Sequence, residues 1–121
     1  MFELNFLKFM KQCFPDIQCY SFFIPDGAPT KAYCFENAGS GIATQRMNED
    51  NIASRTIKLT FSTTEISELY DDSLLTKYIK ECSLLGDIPI INARILNFND
   101  QFYSEQKVFE RTYTINFKFK G

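Results

Sequence analysis

The chain has 121 residues, of which 45% are apolar, and its formal net charge is −2. Its length suits one domain with a substantial core, and its charge excludes the strongly basic field that draws proteins onto nucleic acid or anionic membranes. Histidine is absent, so the side chain most used for acid–base catalysis and for metal binding is missing. These properties argue against an enzyme.

The first predicted element is an amphipathic helix over residues 2–14. Its apolar side chains recur at helical spacing, at Phe2, Phe6, Phe9 and Met10. Pro15 ends the helix, because the residue before a proline is pushed out of the helical region.

A strand is predicted next over residues 17–24, followed by a proline- and glycine-rich turn. Residues 31–36 then read as the returning strand of a hairpin. Both faces of the first strand are apolar, so each face must be buried against another surface. A neighbouring subunit is one candidate for the second of these surfaces. The side chains expected at this subunit interface are Tyr20, Phe22 and Ile24.

A long polar loop is predicted over residues 37–54, where glycine, serine, asparagine and charged residues replace the aromatics. Loops beyond about 12–15 residues are uncommon in compact domains and tend to be functional or disordered. We expect this loop to be mobile in the isolated subunit, and it is either a plain insertion or a partner-binding arm. The side chains that would bind a partner are Ile42, Arg46, Met47, Glu49, Asp50 and Ile52.

The second half begins with a strand over residues 55–62, in which apolar and polar side chains alternate. The four residues Ser62-Thr-Thr-Glu65 match the capping-box pattern, and apolar residues then recur at helical spacing to about Leu85, where Gly86 provides a stop. The doublet Asp71-Asp72 either breaks this second helix into a turn and a main helix or lies within it, and the sequence leaves both open.

The chain closes with a β-prone segment over residues 88–98, a turn over 97–105 and a final strand, Val108–Lys120. The final strand alternates most regularly, and at about 3.3 Å per residue it would reach roughly 43 Å, against a compact diameter on the order of 35 Å. It therefore bends or projects to where another subunit could meet it. The predicted core consists of Phe6, Phe9, Leu59, Phe61, Leu69, Ile79, Ile95, Tyr113, Ile115 and Phe117.

No pattern in the chain points to catalysis, a metal or a cofactor. The four cysteines form no C-x-x-C pair and are expected to be reduced and buried, and the acidic pairs Glu49-Asp50 and Asp71-Asp72 read as a solvated loop and a helix N-terminus. We find no signal peptide and no run of about 18 apolar residues, so a soluble protein is expected. The prediction is a single α+β domain over residues 1–121, with two helices packed on one face of a central antiparallel or mixed sheet, in the order α-β-β-β-α-β-β.

This order resembles the tail-terminator (minor tail or tail-completion) proteins of long-tailed bacteriophages and prophages. The resemblance rests on the opening LNFLKFMKQCFPDIQCY, the turn IPDGAPTKAYCFE, the passage IKLTFSTTEISELYDDSLLTKYIKEC and the closing YTINFKFK. It implies a homo-oligomeric ring, commonly a hexamer, that caps the tail tube and joins it to the head-connector or stopper protein. The location would be the virion tail, after assembly in the bacterial host cytoplasm.

The same resemblance implies no catalytic residue, no cofactor, no small-molecule substrate and no membrane, and DNA only by passage through the ring lumen. Two other classes also fit the composition. One is a small cytoplasmic α+β binding module that dimerises through a sheet edge. The other is an enzyme that uses its Asp or Glu pairs.

Overall fold

A computed structural model describes residues 2–22, 24, 31–38, 45–46 and 52–120, with only the backbone described at 45–46. The elements in chain order are α1 (Phe2–Cys13), β1 (Gln18–Ser21), β2 (Ala32–Asn37), β3 (Gln45–Arg46), β4 (Ile52–Thr63), α2 (Ile66–Tyr70), α3 (Ser73–Lys80), β5 (Leu84–Leu85), β6 (Ile88–Tyr103) and β7 (Val108–Lys120). The strands form a mixed sheet in the order β1-β2-β4-β7-β6-β5, and β3 also pairs with β4. The predicted α+β class is confirmed.

Strand β7 lies at the centre of the sheet and has the bounds that its alternating sequence predicts. It pairs antiparallel with β4 on one side and with β6 on the other. Because both neighbours are long, the final strand does not project alone. It forms the middle of a three-stranded unit that the helices cover on one face.

Helix α1 packs through the apolar stripe that the sequence predicts. Phe2, Phe6 and Met10 are buried one turn apart, and the Phe6 ring lies 5.0 Å from that of Phe35 and 5.9 Å from that of Phe117 between centroids. This spacing places all three side chains on one face of the helix, so α1 packs a continuous apolar face against the sheet.

Eight of the ten predicted core residues are buried, and the other two, Phe9 and Ile95, are half-buried against the same core. The parity assigned to β7 is therefore correct, with Tyr113, Ile115 and Phe117 facing the helices. Burial of this aromatic and aliphatic layer supplies the main driving force for folding.

The predicted β1–β2 hairpin is wrong, because β1 and β2 are parallel, with Gln18 aligned to Ala32. Strand β1 also ends at Ser21 instead of residue 24. The next residue, Phe22, has a left-handed backbone (φ +73°), and its amide donates to the Phe35 carbonyl at 2.9 Å. A tight hairpin gives antiparallel strands, whereas a parallel partner requires the chain to cross back along the strand before pairing.

The predicted loop over residues 37–54 is bounded by longer strands than the sequence indicates. Asn37 still belongs to β2, and β4 begins at Ile52. Residues 45–46 form β3, which pairs with Ala53 and Ser54. The extra residues of β4 are aligned with the end of β7, and a long-range pairing of this kind has no local sequence signal.

The second helix is broken at the acidic doublet, which is one of the two alternatives that the sequence leaves open. Helix α2 ends at Tyr70 and α3 begins at Ser73. The predicted capping box is wrong, because Ser62 lies in β4 and Glu65 is the residue that precedes α2. The Thr63 hydroxyl accepts a hydrogen bond from the Glu65 amide at 3.1 Å.

Gly86 serves a hairpin turn and does not stop a helix, because α3 has already ended at Lys80. Leu85 is aligned with Ile88, so Gly86 and Asp87 form a two-residue loop. Gly86 has φ +65°, which is the left-handed conformation that such loops require and that glycine adopts without strain.

We predict that Gly86→Ala lowers the free energy of unfolding by about 1–2 kcal/mol, the cost of left-handed backbone at a non-glycine residue. A methyl group there would also meet the Asn5 side chain at 2.5 Å. Urea denaturation measures the loss of stability. The double variant Asn5→Ala/Gly86→Ala should recover only the part of the loss that comes from the clash with the Asn5 side chain. An unchanged midpoint for Gly86→Ala would contradict this account of the turn.

The segment predicted as a turn over residues 97–105 is largely strand. Strand β6 runs through Tyr103, with register irregularities between Ile90 and Asn92 and between Ile95 and Asn97. Every side chain from 96 to 107 is exposed, so no helix covers this stretch. We call residues 97–112, which comprise the end of β6, the turn and the start of β7, the hairpin arm.

Candidate assembly surface

Arg111 organises the base of the hairpin arm. It lies on the helix-facing side of β7, aligned with Asp100 of β6, and its side chain is only 8% exposed. Its Nε and Nη2 donate to the two Asp100 carboxylate oxygens at 2.6 and 2.9 Å, and its Nη1 donates to Asp72 at 3.2 Å. The Tyr113 hydroxyl donates to the same Asp72 oxygen at 3.1 Å.

This arrangement follows from the cost of burying a charge. A guanidinium on an inward position must find hydrogen-bonded anions, and its planar fork suits a carboxylate. The Arg111 hydrogen bonds hold the pKa of the Asp100 carboxyl below its usual value, and Asp100 raises the pKa of Arg111. The network ties the arm to the α2–α3 junction.

Aromatic rings surround Arg111 and remain open to solvent. The guanidinium carbon lies 4.2 Å from the centroid of the Phe98 ring and 5.3 Å from that of Tyr70, within the range of cation–π attraction. Phe98, Phe102 and Tyr70 are 50%, 53% and 60% exposed. We call the Phe98 and Tyr70 rings at Arg111, together with the Phe102 ring further along β6, the aromatic patch.

The aromatic patch carries net negative charge. Asp72 and Asp100 provide two carboxylates against the one guanidinium of Arg111. Exposed aromatic and arginine side chains are the residue types that dominate binding energy in protein interfaces, so this patch is suited to contact another protein.

A second surface lies along the opposite edge of the sheet, between α1 and β1. It is a groove of about 220 Å³ lined by Leu7, Lys8, Lys11, Pro15, Ile17, Gln18 and Cys19. Lys8 and Lys11 are exposed, and no acidic residue lines the groove. We call it the α1 groove.

The structure separates the three residues predicted to form a subunit interface. Tyr20 is half-buried on β1 and aligned with Cys34. Phe22 lies just beyond the strand and is 72% exposed, whereas Ile24 lines a hollow with Val108 and Glu110. Their role at an interface stays a prediction.

The predicted partner-binding residues fall mostly outside the described part of the chain. Ile42, Met47, Glu49 and Asp50 lie in undescribed segments, the backbone of Arg46 belongs to β3, and Ile52 is the first residue of β4. Their binding role also stays a prediction.

The acidic doublet Asp71-Asp72 lines one hollow together with Glu68, Lys31 and Phe14. Asp72 binds Arg111 and Tyr113, whereas Asp71 is exposed. Within the described ranges, no group of three or more His, Cys, Asp or Glu side chains could hold a metal ion. Nor does any helix in those ranges combine the length and apolar character needed to cross a membrane.

The hairpin arm was not predicted, although its sequence carries a signal for a strand. Leu96, Phe98 and Phe102 alternate with Asn97, Asn99 and Gln101, which is the period of a strand. The asparagines and Asp100 favour turns, and that propensity led to the wrong prediction of a turn over residues 97–105. The Arg111–Asp100 pair could not be found without the register of β6 on β7.

The comparison with known proteins gives a likeness of fold. No protein-family model matches the chain, and no curated protein matches its sequence. The fold resembles that of a chain in the virion of a native gene transfer agent (GTA) particle. The TM-score is 0.60 at 7% sequence identity, over 93% of this chain and 84% of that chain. At this identity the likeness concerns the fold alone.

All four cysteines are free thiols, at Cys13, Cys19, Cys34 and Cys82. Burial raises the pKa of Cys13 and Cys34 to about 11 and that of Cys19 to about 12. Since the thiolate is the reactive form, these side chains are poor nucleophiles at neutral pH.

We predict that the folded state loses stability as the pH rises above about 9. Unfolded thiols ionise near that pH, whereas the folded thiols keep their protons until about 11, so the unfolded state gains ionisation free energy that the folded state lacks. Urea midpoints at pH 8, 9 and 10 measure the effect, and a quadruple Cys→Ala variant should show a smaller fall. A midpoint that stays constant or rises across this range would contradict the prediction.

Proposed function

We propose that this chain is a structural protein of a phage-like virion and, more specifically, a tail terminator. In this proposal its copies form a ring, commonly of six, that caps the tail tube and joins it to the head connector. The observation that carries the proposal is the fold likeness, over 93% of the chain, to a chain of the gene transfer agent virion. We propose a structural and not a catalytic role, which agrees with the absence of histidine from the sequence.

The exposed surfaces of the fold support a role in assembly. Strand β6 presents a long edge and the hairpin arm presents exposed aromatic rings, and both features are typical of surfaces that pair with other chains. The proposed partners are further copies of this chain, the tail-tube protein and the head-connector or stopper protein. DNA would meet the ring only in its lumen, and no cofactor, small molecule or membrane takes part.

The segment over residues 37–54 is a further contact in this proposal. Its charged and apolar side chains, including Arg46 and Ile52, would bind a neighbouring subunit or the tube. Deleting residues 40–48 should then leave the protein folded and abolish the joining of tails to heads. If tails still join, the segment is a plain insertion.

Deletion of the gene in the bacterium that produces the particle tests the function directly. We expect tails of uncontrolled length and heads without tails in electron micrographs, because nothing would end tube polymerisation or dock the connector. The wild-type gene on a plasmid should restore both. Tails of normal length joined to heads in the deletion strain would refute the proposal.

A binding module that dimerises through a sheet edge is the second candidate, and the open edge of β6 favours it. Light scattering coupled to size-exclusion chromatography separates the two candidates. A ring would give a mass several times the 14.1 kDa of one chain, whereas the module would stop at twice that mass.

A further inference from the structure

Both outer edges of the sheet are open along much of their length. Strand β6 pairs with β5 only at Ile88 and Pro89, and beyond Ile90 no described strand pairs with its outer side. Strand β1 pairs with β2 on one side and has no described strand on the other. Free edges present unpaired amide and carbonyl groups that accept a further strand.

The two open edges lie level with each other. Gln18, Ala32, Ser62, Glu110 and Gln101 are aligned successively from β1 across to β6. Four strand spacings of about 4.8 Å separate the ends of this row by roughly 19 Å. The pairings also make β1 antiparallel to β6, so a copy placed beside this one in the same orientation would bring its β6 antiparallel to β1.

The surfaces beside the two edges are complementary in charge. The aromatic patch at the β6 edge combines exposed rings with the carboxylates of Asp72 and Asp100 and the Arg111 guanidinium, whereas the α1 groove at the β1 edge has two exposed lysines and apolar walls. Both lie on the helix-bearing side of the sheet, since α1 forms one wall of the groove and Tyr70 of α2 forms part of the patch. Ammonium groups are attracted both to carboxylates and to aromatic faces.

The opposite arrangement, in which β6 of one copy pairs with β6 of another, brings like charges together. A two-fold contact centred on residues 98–102 would place one aromatic patch, with its net negative charge, near the same patch of the partner. Like charges in close opposition destabilise an interface. Charge therefore favours contact between two different surfaces of the chain.

We propose that a second copy of this chain adds its β6 edge to β1, with its aromatic patch against the α1 groove. The inference rests on the proposed function in that it names the contact between subunits of the ring. A contact between unlike surfaces leaves one open edge at each end, so it repeats, and it forms a ring when the rotation between successive copies closes. The exposed Phe22 ring, just past β1, would add apolar area to the same contact.

Two full-length variants test the proposal. The groove variant carries Lys8→Glu and Lys11→Glu, and the arm variant carries Phe98→Ser and Phe102→Ser; all four side chains are exposed. Circular dichroism and the urea midpoint establish that each variant is folded. A control variant, Lys58→Glu, reverses the charge of an exposed lysine on β4, away from both surfaces and from both edges of the sheet.

We expect the wild type and the control to form an oligomer in light scattering, and each test variant alone to be monomeric. An equal mixture of the groove and arm variants should give a species of twice the 14.1 kDa subunit mass and nothing larger. The groove variant keeps an intact arm and the arm variant keeps an intact groove, so one contact forms between them. The surfaces that remain free in this pair are both altered, and no third copy can bind. A photo-crosslinking residue at Gln18 should label β6 of the neighbouring copy in the wild-type oligomer.

Three results would overturn the inference. They are a wild type that is monomeric at all concentrations, test variants that assemble like the wild type, and a mixture that stays monomeric. A monomeric wild type would also contradict the proposed ring, whereas the other two results would leave the ring standing and reject only this contact. Tail length in the gene-deletion strain tests the function separately. Uncontrolled tails in a strain that produces only the groove variant would support both.

Discussion

Replacing Phe117 with alanine is expected to lower the free energy of unfolding by about 3–5 kcal/mol, the range for deleting a buried aromatic ring. The Phe117 ring is fully buried. It lies 5.3 Å from the Phe2 ring and 5.9 Å from the Phe6 ring, both in edge-to-face geometry. Because helix and sheet meet at this ring, its loss leaves a cavity that neither layer can fill without moving.

Urea denaturation measures this loss, and a matched pair of isoleucines controls for it. Ile115→Ala, at a fully buried position, should cost about 2–5 kcal/mol. Ile91→Ala, at a position that is 51% exposed, should change stability by less than about 0.5 kcal/mol. Equal effects at the two positions would mean that the inward parity of β7 is wrong.

Replacing Arg111 with methionine is expected to lower the free energy of unfolding by about 2 kcal/mol, as for the loss of hydrogen bonds between charged groups. The loss stays below the cost of breaking a fully buried pair, because Asp100 and Asp72 are 38% and 30% exposed and water can solvate them. Hydrogen exchange should also become faster in residues 97–103, since the arm loses its tie to the α2–α3 junction.

Arg111→Lys is the matched control for charge. Lysine keeps the positive charge and loses the two-pronged contact with Asp100, so its stability should lie between that of the wild type and that of Arg111→Met. Amides in α1, which packs on Phe117 and Phe119 of β7, should keep their local protection in all three proteins. If Arg111→Met left both the urea midpoint and the exchange of the arm unchanged, the network would have no structural role.

The sequence by itself determined the parts of this fold that depend on local periodicity. The alternation of Val108–Lys120 gave the bounds and the buried face of β7, and the helical spacing of Phe2, Phe6 and Met10 gave the buried face of α1. These patterns are readable because a strand and a helix repeat at fixed periods, and one side of each element must be apolar.

Only the tertiary structure decided how those elements are joined. The parallel pairing of β1 with β2 and the extension of β6 through Tyr103 depend on hydrogen bonds between segments that are distant in the chain. Turn propensity at Asn97, Asn99 and Asp100 was overridden because pairing with β7 satisfies their backbone groups. Asp100 also meets Arg111 only once that register exists. The candidate assembly surface could not be read from the sequence for the same reason, since its residues converge through sheet register and helix placement.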